Sequence, residues 1–178
     1  MALQTELLSL IPALRRFAFS LTNSHADADD LVQNTLERVL KAPAPENVAL
    51  IRWAFRICRN VWIDEYRARK ARQRAAELPE SLTELQQRHT TDGEQELAVR
   101  LDSVGKAMQK LPPEQHEVLS LVAVQGCSYK EAAQTLDIPV GTVMSRLARA
   151  RAALVVLLAD ENGPLQTLQQ VTTYKGVH

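Results

Sequence analysis

The sequence predicts an all-α protein: two small helical domains joined by a flexible linker, the C-terminal one containing a helix-turn-helix. Three observations lead there. Apolar residues recur at three- and four-residue spacing through most of the chain, the period of a helix with one buried face. The 178 residues include only six glycines and eight aromatics, and no segment shows the valine, isoleucine and threonine alternation of strands. Serines, prolines and glycines fall where helices would start and stop. The length suits one medium domain or two small ones with thin cores.

Taken in order, Leu3 to Leu21 is a first helix, with Leu7, Leu10, Ile11, Leu14, Phe17 and Ala18 on one side. Pro12 within it predicts a kink or a later start. Ser24, with Asp27 three residues on, caps a second helix whose buried stripe is Ala28, Leu31, Val32, Thr35, Val39 and Leu40. Asp27, Asp30, Asn34, Glu37 and Lys41 face away, with Gln33 and Arg38 near the stripe's edge. By spacing alone, these acids are a dipole-compatible helix start and a solvated face.

Lys41 to Asn47, with Pro43 and Pro45, reads as a loop. Val48 to about Arg74 is then a long helix with Leu50, Trp53, Ala54, Ile57, Cys58, Val61 and Trp62 among its apolar positions. Trp53, Phe55, Trp62 and Tyr66 lie here among eight basic residues. Rings on which bases stack, interleaved with arginines that hold the backbone, are what a single-stranded nucleic acid site requires. Trp53 and Trp62 are expected as core anchors, and Phe55 and Tyr66 as the rings left exposed. The run Arg67, Arg69, Lys70, Arg72 and Arg74 would neutralise phosphates or complement a helix C-terminus.

From Ala75 to Glu96 the pattern fades into a linker, with a short helix around Ser81 to Arg88. A helix from Leu97 to Leu111 follows, with Val104, Ala107, Met108 and Leu111 inward, and Pro112-Pro113 ends it. Glu114 to Gln125 is apolar almost all round, as a central helix would be, and Gly126 terminates it. Ser128 and Glu131 form a capping box for a helix carrying Ala132, Ala133 and Leu136. Pro139 stops that helix, Ile138 lies in the connection, and Gly141-Thr142 opens the last one. There Val143, Leu147 and Ala150 face inward, leaving Thr142, Ser145, Arg146 and Arg149 outside. No acid occurs between Gly141 and Ala159. Hydroxyls near a helix start and arginines one turn apart suit the major groove. Asp160 to His178 is expected to be a frayed tail.

The formal net charge is zero, yet the charges are unevenly placed. Arg52 to Arg74 holds eight basic and two acidic residues, and Ala75 to Val104 two basic and seven acidic. Neutrality is thus a cancellation that leaves a local basic footprint. Cys58 and Cys127 are far apart in apolar settings and read as buried thiols of a reducing compartment. Leu7 to Leu21 is broken by Pro12, Arg15 and Arg16, so neither a signal peptide nor a membrane span is expected, and the protein is expected in the cytoplasm. No metal-ligand spacing, cofactor motif or catalytic constellation is present, which argues against a nuclease or recombinase.

Three segments, DADDLVQNTLERVL, IRWAFRICRNVWIDEYRARKAR and LPPEQHEVLSLVAVQGCSYKEAAQTLDIPVGTVMSRLARARAAL, in this order closely resemble the extracytoplasmic-function sigma factors of the sigma-70 family. The resemblance spans roughly residues 5 to 158 and implies region 2 within 1–74, a linker at 75–96, region 4 within 97–159 and a tail at 160–178. It implies docking on core RNA polymerase at the beta-prime clamp helices and beta flap, promoter DNA as the second partner, and an anti-sigma factor that holds the protein inactive. Asp29, Asp30, Gln33 and Arg38 match the polymerase-binding helix, replacing the solvated-face reading there. Asn60, Asp64, Arg67 and Arg69 fall in the minus-10 segment, joined by Phe55 and Tyr66 from the ring pattern. Tyr129, Lys130, Thr142, Ser145, Arg146 and Arg149 match the minus-35 reader. Asn34 stands where the family often has an acid, Met144 where it often has a lysine, and the loop at 41–47 lacks the usual Phe-Arg-Gly type sequence. The alternative is a stand-alone helix-turn-helix regulator that binds duplex DNA without polymerase; the basic, aromatic-rich block in the N-terminal half argues against it.

Overall fold

The computed structural model describes residues 2–42, 44–76 and 92–162, and among them every regular element is helical. Helices α1 (Ala2–Thr22), α2 (His25–Lys41) and α3 (Leu50–Ala76) pack around Leu14, Phe17, Leu21, Leu31 and Val39. The turn from α1 to α2 is tight: Asn23 takes a left-handed φ of 53° and its N–H donates to the Phe19 carbonyl at 2.8 Å. Ser24 then accepts from the Asp27 N–H, the cap expected from the sequence.

Helix α1 runs through Pro12 from Ala2, so the expected later start is not adopted. Pro12 and Leu8 both face solvent, so the Leu8 carbonyl that proline leaves without its helical donor is on the side open to water. Leu40 is a second correction. It is 55% exposed, because the buried stripe ends at Val39 and one further residue turns the side chain about 100° away.

The second group is α4 (Asp92–Gln109), α5 (Pro113–Leu119), α6 (Tyr129–Leu136) and α7 (Val140–Asn162), around Met108, Leu111, Val118, Leu121, Val143 and Leu147. Helix α4 begins five residues before the expected Leu97, so the last part of the expected linker is helical. Residues 77–91, including the short helix expected at Ser81 to Arg88, and the tail at 163–178 lie outside the described residues. The helix expected over Glu114 to Gln125 is instead α5 followed by one wide π turn, Ser120–Val124, in which the Gln125 N–H reaches the Ser120 carbonyl at 3.1 Å. Gly126, at φ 70°, reverses the chain in a conformation that other residues avoid.

The two groups close on one another. The rings of Trp62 (α3) and His116 (α5) meet edge to face at 5.2 Å. The His116 imidazole Nε2 lies 2.6 Å from the Ser20 carbonyl, and the Gln109 amide donates to the Leu21 carbonyl. Gly105 on α4 lies against Asn23 so closely that a Cβ would sit 2.1 Å from Asn23 Oδ1.

Candidate nucleic-acid interface

The helix-turn-helix is built by local chemistry. Ser128 accepts from the Glu131 N–H while the Glu131 carboxylate accepts from the Ser128 N–H at 2.9 Å, completing the capping box. This hydrogen bonding to its charged form holds the Glu131 carboxyl below its ordinary value. Asp137, left-handed at φ 56°, closes α6, and the Ile138 N–H reaches back to the Ala133 carbonyl. The Pro139 carbonyl then accepts from Thr142 and Val143 to start α7. Buried Ala132 and Ala133 let α6 approach α7, while Val143, Leu147 and Ala150 fix which side of α7 faces out.

Of the sequence-predicted minus-35 residues, Tyr129, Lys130, Ser145 and Arg149 are exposed. Thr142 is half-buried, and Ser145 donates to its carbonyl at 3.1 Å. Arg146 is also half-buried, with Nη1 3.5 Å from Glu117 Oε1.

Helix α3 shows three faces. One enters the N-terminal core through Ala54, Cys58, Val61 and Trp62. Phe55 belongs there too, which corrects the expectation of an exposed stacking ring: it is 5% exposed and its ring lies 5.0 Å from that of Phe17. Cys58 follows Phe55 at i+3, so both sit on the core side, and apolar burial outweighs any role at the surface. Asn60, Asp64 and Arg67 share a second, exposed face at four- and three-residue spacing. Arg69 is exposed on the opposite side, and Tyr66 is half-buried between Trp62, at 6.0 Å, and Lys70, whose ammonium lies 5.8 Å from the ring centre.

The third face meets the C-terminal group. Arg52 donates to the Gln134 side chain, and Arg56 to the carbonyls of Gln134 (2.6 Å) and Thr135 (3.0 Å) at the C-terminus of α6, where the helix dipole favours a cation. Arg59 forks onto Glu117, Nε to Oε2 at 2.5 Å and Nη2 to Oε1 at 3.2 Å. Glu117 has no exposed surface. Burial pushes its carboxyl above the ordinary value, opposed by Arg59 and then Arg146. Neither Glu117 nor the Arg52, Arg56, Arg59 row emerged from the sequence reading. The available signal was an acid and a histidine entering an apolar run, since buried polar groups must find partners.

On α2, Asp29, Asp30, Gln33 and Arg38 are all exposed but not together. Asp29 and Gln33 align one turn apart with Leu40 farther along, and Asp29 pairs with Arg15 of α1 at 2.8 Å. Arg38 lies elsewhere, bordering a groove of about 320 Å³ lined by Lys41, Ala42, Trp53, Ile57 and Asn60. There the Trp53 indole donates to the Ala42 carbonyl. Among the described residues no group of three or more His, Cys, Asp or Glu could hold a metal, and no helix is long and apolar enough to cross a membrane.

Residues 8–72 match the Sigma-70 region 2 model and residues 101–154 the Sigma-70, region 4 model. The ECF RNA polymerase sigma factor EcfG of Rhodopseudomonas palustris is 35% identical over 176 residues, covering 96% of this chain and 94% of the relative. The RNA polymerase sigma factor CnrH of Cupriavidus metallidurans is 34% identical over 155 residues, covering 82% and 81%. Among solved structures, the sigma factor RpoE of Bartonella quintana, in complex with the anti-sigma factor NepR, superposes with a TM-score of 0.68 at 33% identity, covering 88% of this chain and 96% of that one. With both sigma regions matched in order and the EcfG relative aligned over 94% of its length, the chain belongs to the extracytoplasmic-function sigma factors of the sigma-70 family.

Proposed function

We propose that the Asn60, Asp64 and Arg67 face of α3 reads the minus-10 element and that Thr142, Ser145, Arg146 and Arg149 of α7, with Tyr129 and Lys130 of α6, read the minus-35 element. The observation that carries this is the exposed Ser145 and Arg149 face, free of acids from Gly141 to Ala159, on a helix seated by a capped helix-turn-helix. As a sigma factor the protein works with core RNA polymerase and promoter DNA in transcription initiation. Polymerase supplies the nucleotidyl transfer, and this subunit adds promoter choice and strand opening without a catalytic residue of its own.

The functional divisions are 1–74 for region 2, 75–96 for the linker, 97–159 for region 4 and 160–178 for the tail. Asp29, Asp30 and Gln33 dock on polymerase, and Leu40 lies on the same side of α2. Arg38 belongs instead to the groove beside Trp53, where that ring offers a stacking surface to an unstacked minus-10 base. An anti-sigma factor, the class of partner seen with the Bartonella relative, holds the protein inactive, and the protein acts in the cytoplasm.

A bidentate base contact discriminates by about 1–3 kcal/mol, and flipping a base costs a few kcal/mol. One arginine therefore suffices to choose a promoter but not to melt it, and melting needs the polymerase-bound geometry. In vitro transcription from a genomic promoter library, with core polymerase and with or without this protein, tests the reading. A shared two-element motif is the expected result, and core polymerase that gains no promoter preference would overturn it. Arg149→Ala should abolish that preference while polymerase binding persists.

A further inference from the structure

We propose that Met144 is a specificity-determining residue of the minus-35 reader: with Val140 beside it, its side chain makes apolar contact with the C5-methyl group of a thymine in the major groove. The inference rests on the assignment of α7 as that reader and adds the kind of base it recognises. Along the solvent side of α7 the residues fall into two flanks. Thr142, Arg146 and Arg149 make a polar one, while Val140 and Met144, one turn apart, make an apolar one. Met144 is 53% exposed and Val140 41%. Between the flanks run Gly141, Ser145 and Ala148, small and exposed.

What the polar flank can read is limited by the bonds it already makes. Ser145 gives its hydroxyl proton to the Thr142 carbonyl at 3.1 Å, and Arg146 leans on Glu117, with Nη1 3.5 Å from Oε1. Of the two arginines on this flank, Arg149 is the exposed one. A bidentate arginine identifies one base pair, so further discrimination by α7 has to come from its apolar flank. The apolar group that a base edge presents in the major groove is the thymine methyl.

Methionine suits that contact. It is unbranched and adaptable, and its thioether is polarizable and carries no charge that a phosphate would attract. The groove is about 12 Å wide and a helix with its side chains about 10–12 Å across, so small residues on the outermost ridge bring both flanks down to the base edges. Gly141 fits this approach: it is helical rather than left-handed, and a Cβ there would meet nothing within 4 Å. Neither turn geometry nor packing within the chain requires glycine at that position, whereas close approach of a ligand to the backbone does. Arg149 follows Met144 by five positions, about 7.5 Å along the axis. At about 3.4 Å per base pair, the thymine lies about two base pairs from the base that Arg149 contacts.

Uracil differs from thymine only in lacking the methyl, so replacing thymine by uracil at one position at a time isolates the contact. Holoenzyme assembled from core polymerase and the full-length protein is titrated with promoter duplexes carrying these single replacements in the minus-35 element. Kd is measured for the unaltered protein and for Met144→Ala, Met144→Leu and Met144→Lys, with circular dichroism to check that each variant is folded. For the unaltered protein, uracil at one position should weaken binding about fourfold, which corresponds to about 0.8 kcal/mol, the value of one buried carbon. Met144→Ala should bind the thymine promoter with about that same loss and no longer distinguish uracil there. Met144→Leu, apolar and of similar volume, should keep the discrimination, and Met144→Lys, a hydrated cation, should lose it. Indifference of the unaltered protein to uracil at every position, or discrimination that persists undiminished in folded Met144→Ala, would overturn the proposal. Initiation that shows no minus-35 element at all would instead overturn the functional reading, so the two failures are distinct.

Discussion

Phe55 offers a clean separation between a core residue and a nucleic-acid reader. It is 5% exposed and tilted against the fully buried Phe17 at 5.0 Å between ring centres. Truncating a buried phenylalanine to alanine costs about 3–5 kcal/mol, and the aromatic pair accounts for about 0.5–1.5 kcal/mol beyond area burial. Phe55→Ala should therefore lose about 4 kcal/mol. At about 2–4 °C per kcal/mol for a chain of this size, Tm should fall by roughly 8–16 °C. Urea denaturation gives the loss as a lower midpoint at unchanged slope. Promoter opening, corrected for the folded fraction, should be preserved. A stability loss below about 1 kcal/mol together with a specific defect in strand opening would refute the core assignment and restore Phe55 as a stacking ring.

Three further outcomes follow from the geometry. His116 is buried, which lowers its pKa to about 4 despite its bond to the Ser20 carbonyl. The unfolded chain thus binds this proton first, so the stability tied to neutral His116 is present above about pH 6.5 and is lost as pH falls towards 4, in full about 3 kcal/mol. His116→Gln should flatten the dependence of Tm on pH in that window. Burial pushes the Cys58 thiol up to about 12, opposed by a hydrogen bond involving Thr35, so maleimide should label Cys127 and leave Cys58 unmodified until the protein unfolds, as peptide mass mapping would show. Ser128→Ala removes half of the capping box of α6 and should lower stability by about 1 kcal/mol in thermal melts, with Ser128→Asp restoring most of it.

Local rules carried much of the fold. The Ser24 cap, the Ser128 and Glu131 box and the inward Val143, Leu147 and Ala150 depend on contacts within a few residues, and each stands where the sequence puts it. Periodicity also separated the outward Ser145 and Arg149 from the core. It failed where an element's neighbours decide the outcome. Phe55 and Leu40 are both apolar on amphipathic helices, yet one is enclosed and the other exposed, because the packing partners of each face come from distant segments. The beginning of α4 was missed because charged and polar residues at a helix start carry no apolar period to detect.

The sequence by itself determined the all-α class, the helix-turn-helix and the family, since these follow from local propensity, capping and motifs in order. Tertiary structure alone decided that Arg52, Arg56 and Arg59 face Gln134, Thr135 and Glu117 across up to 82 positions of chain. An arginine at helical spacing looks the same whether it awaits a phosphate, a helix C-terminus or a buried carboxylate. Electrostatic partners are chosen by proximity in space, and only folding brings those acceptors within reach.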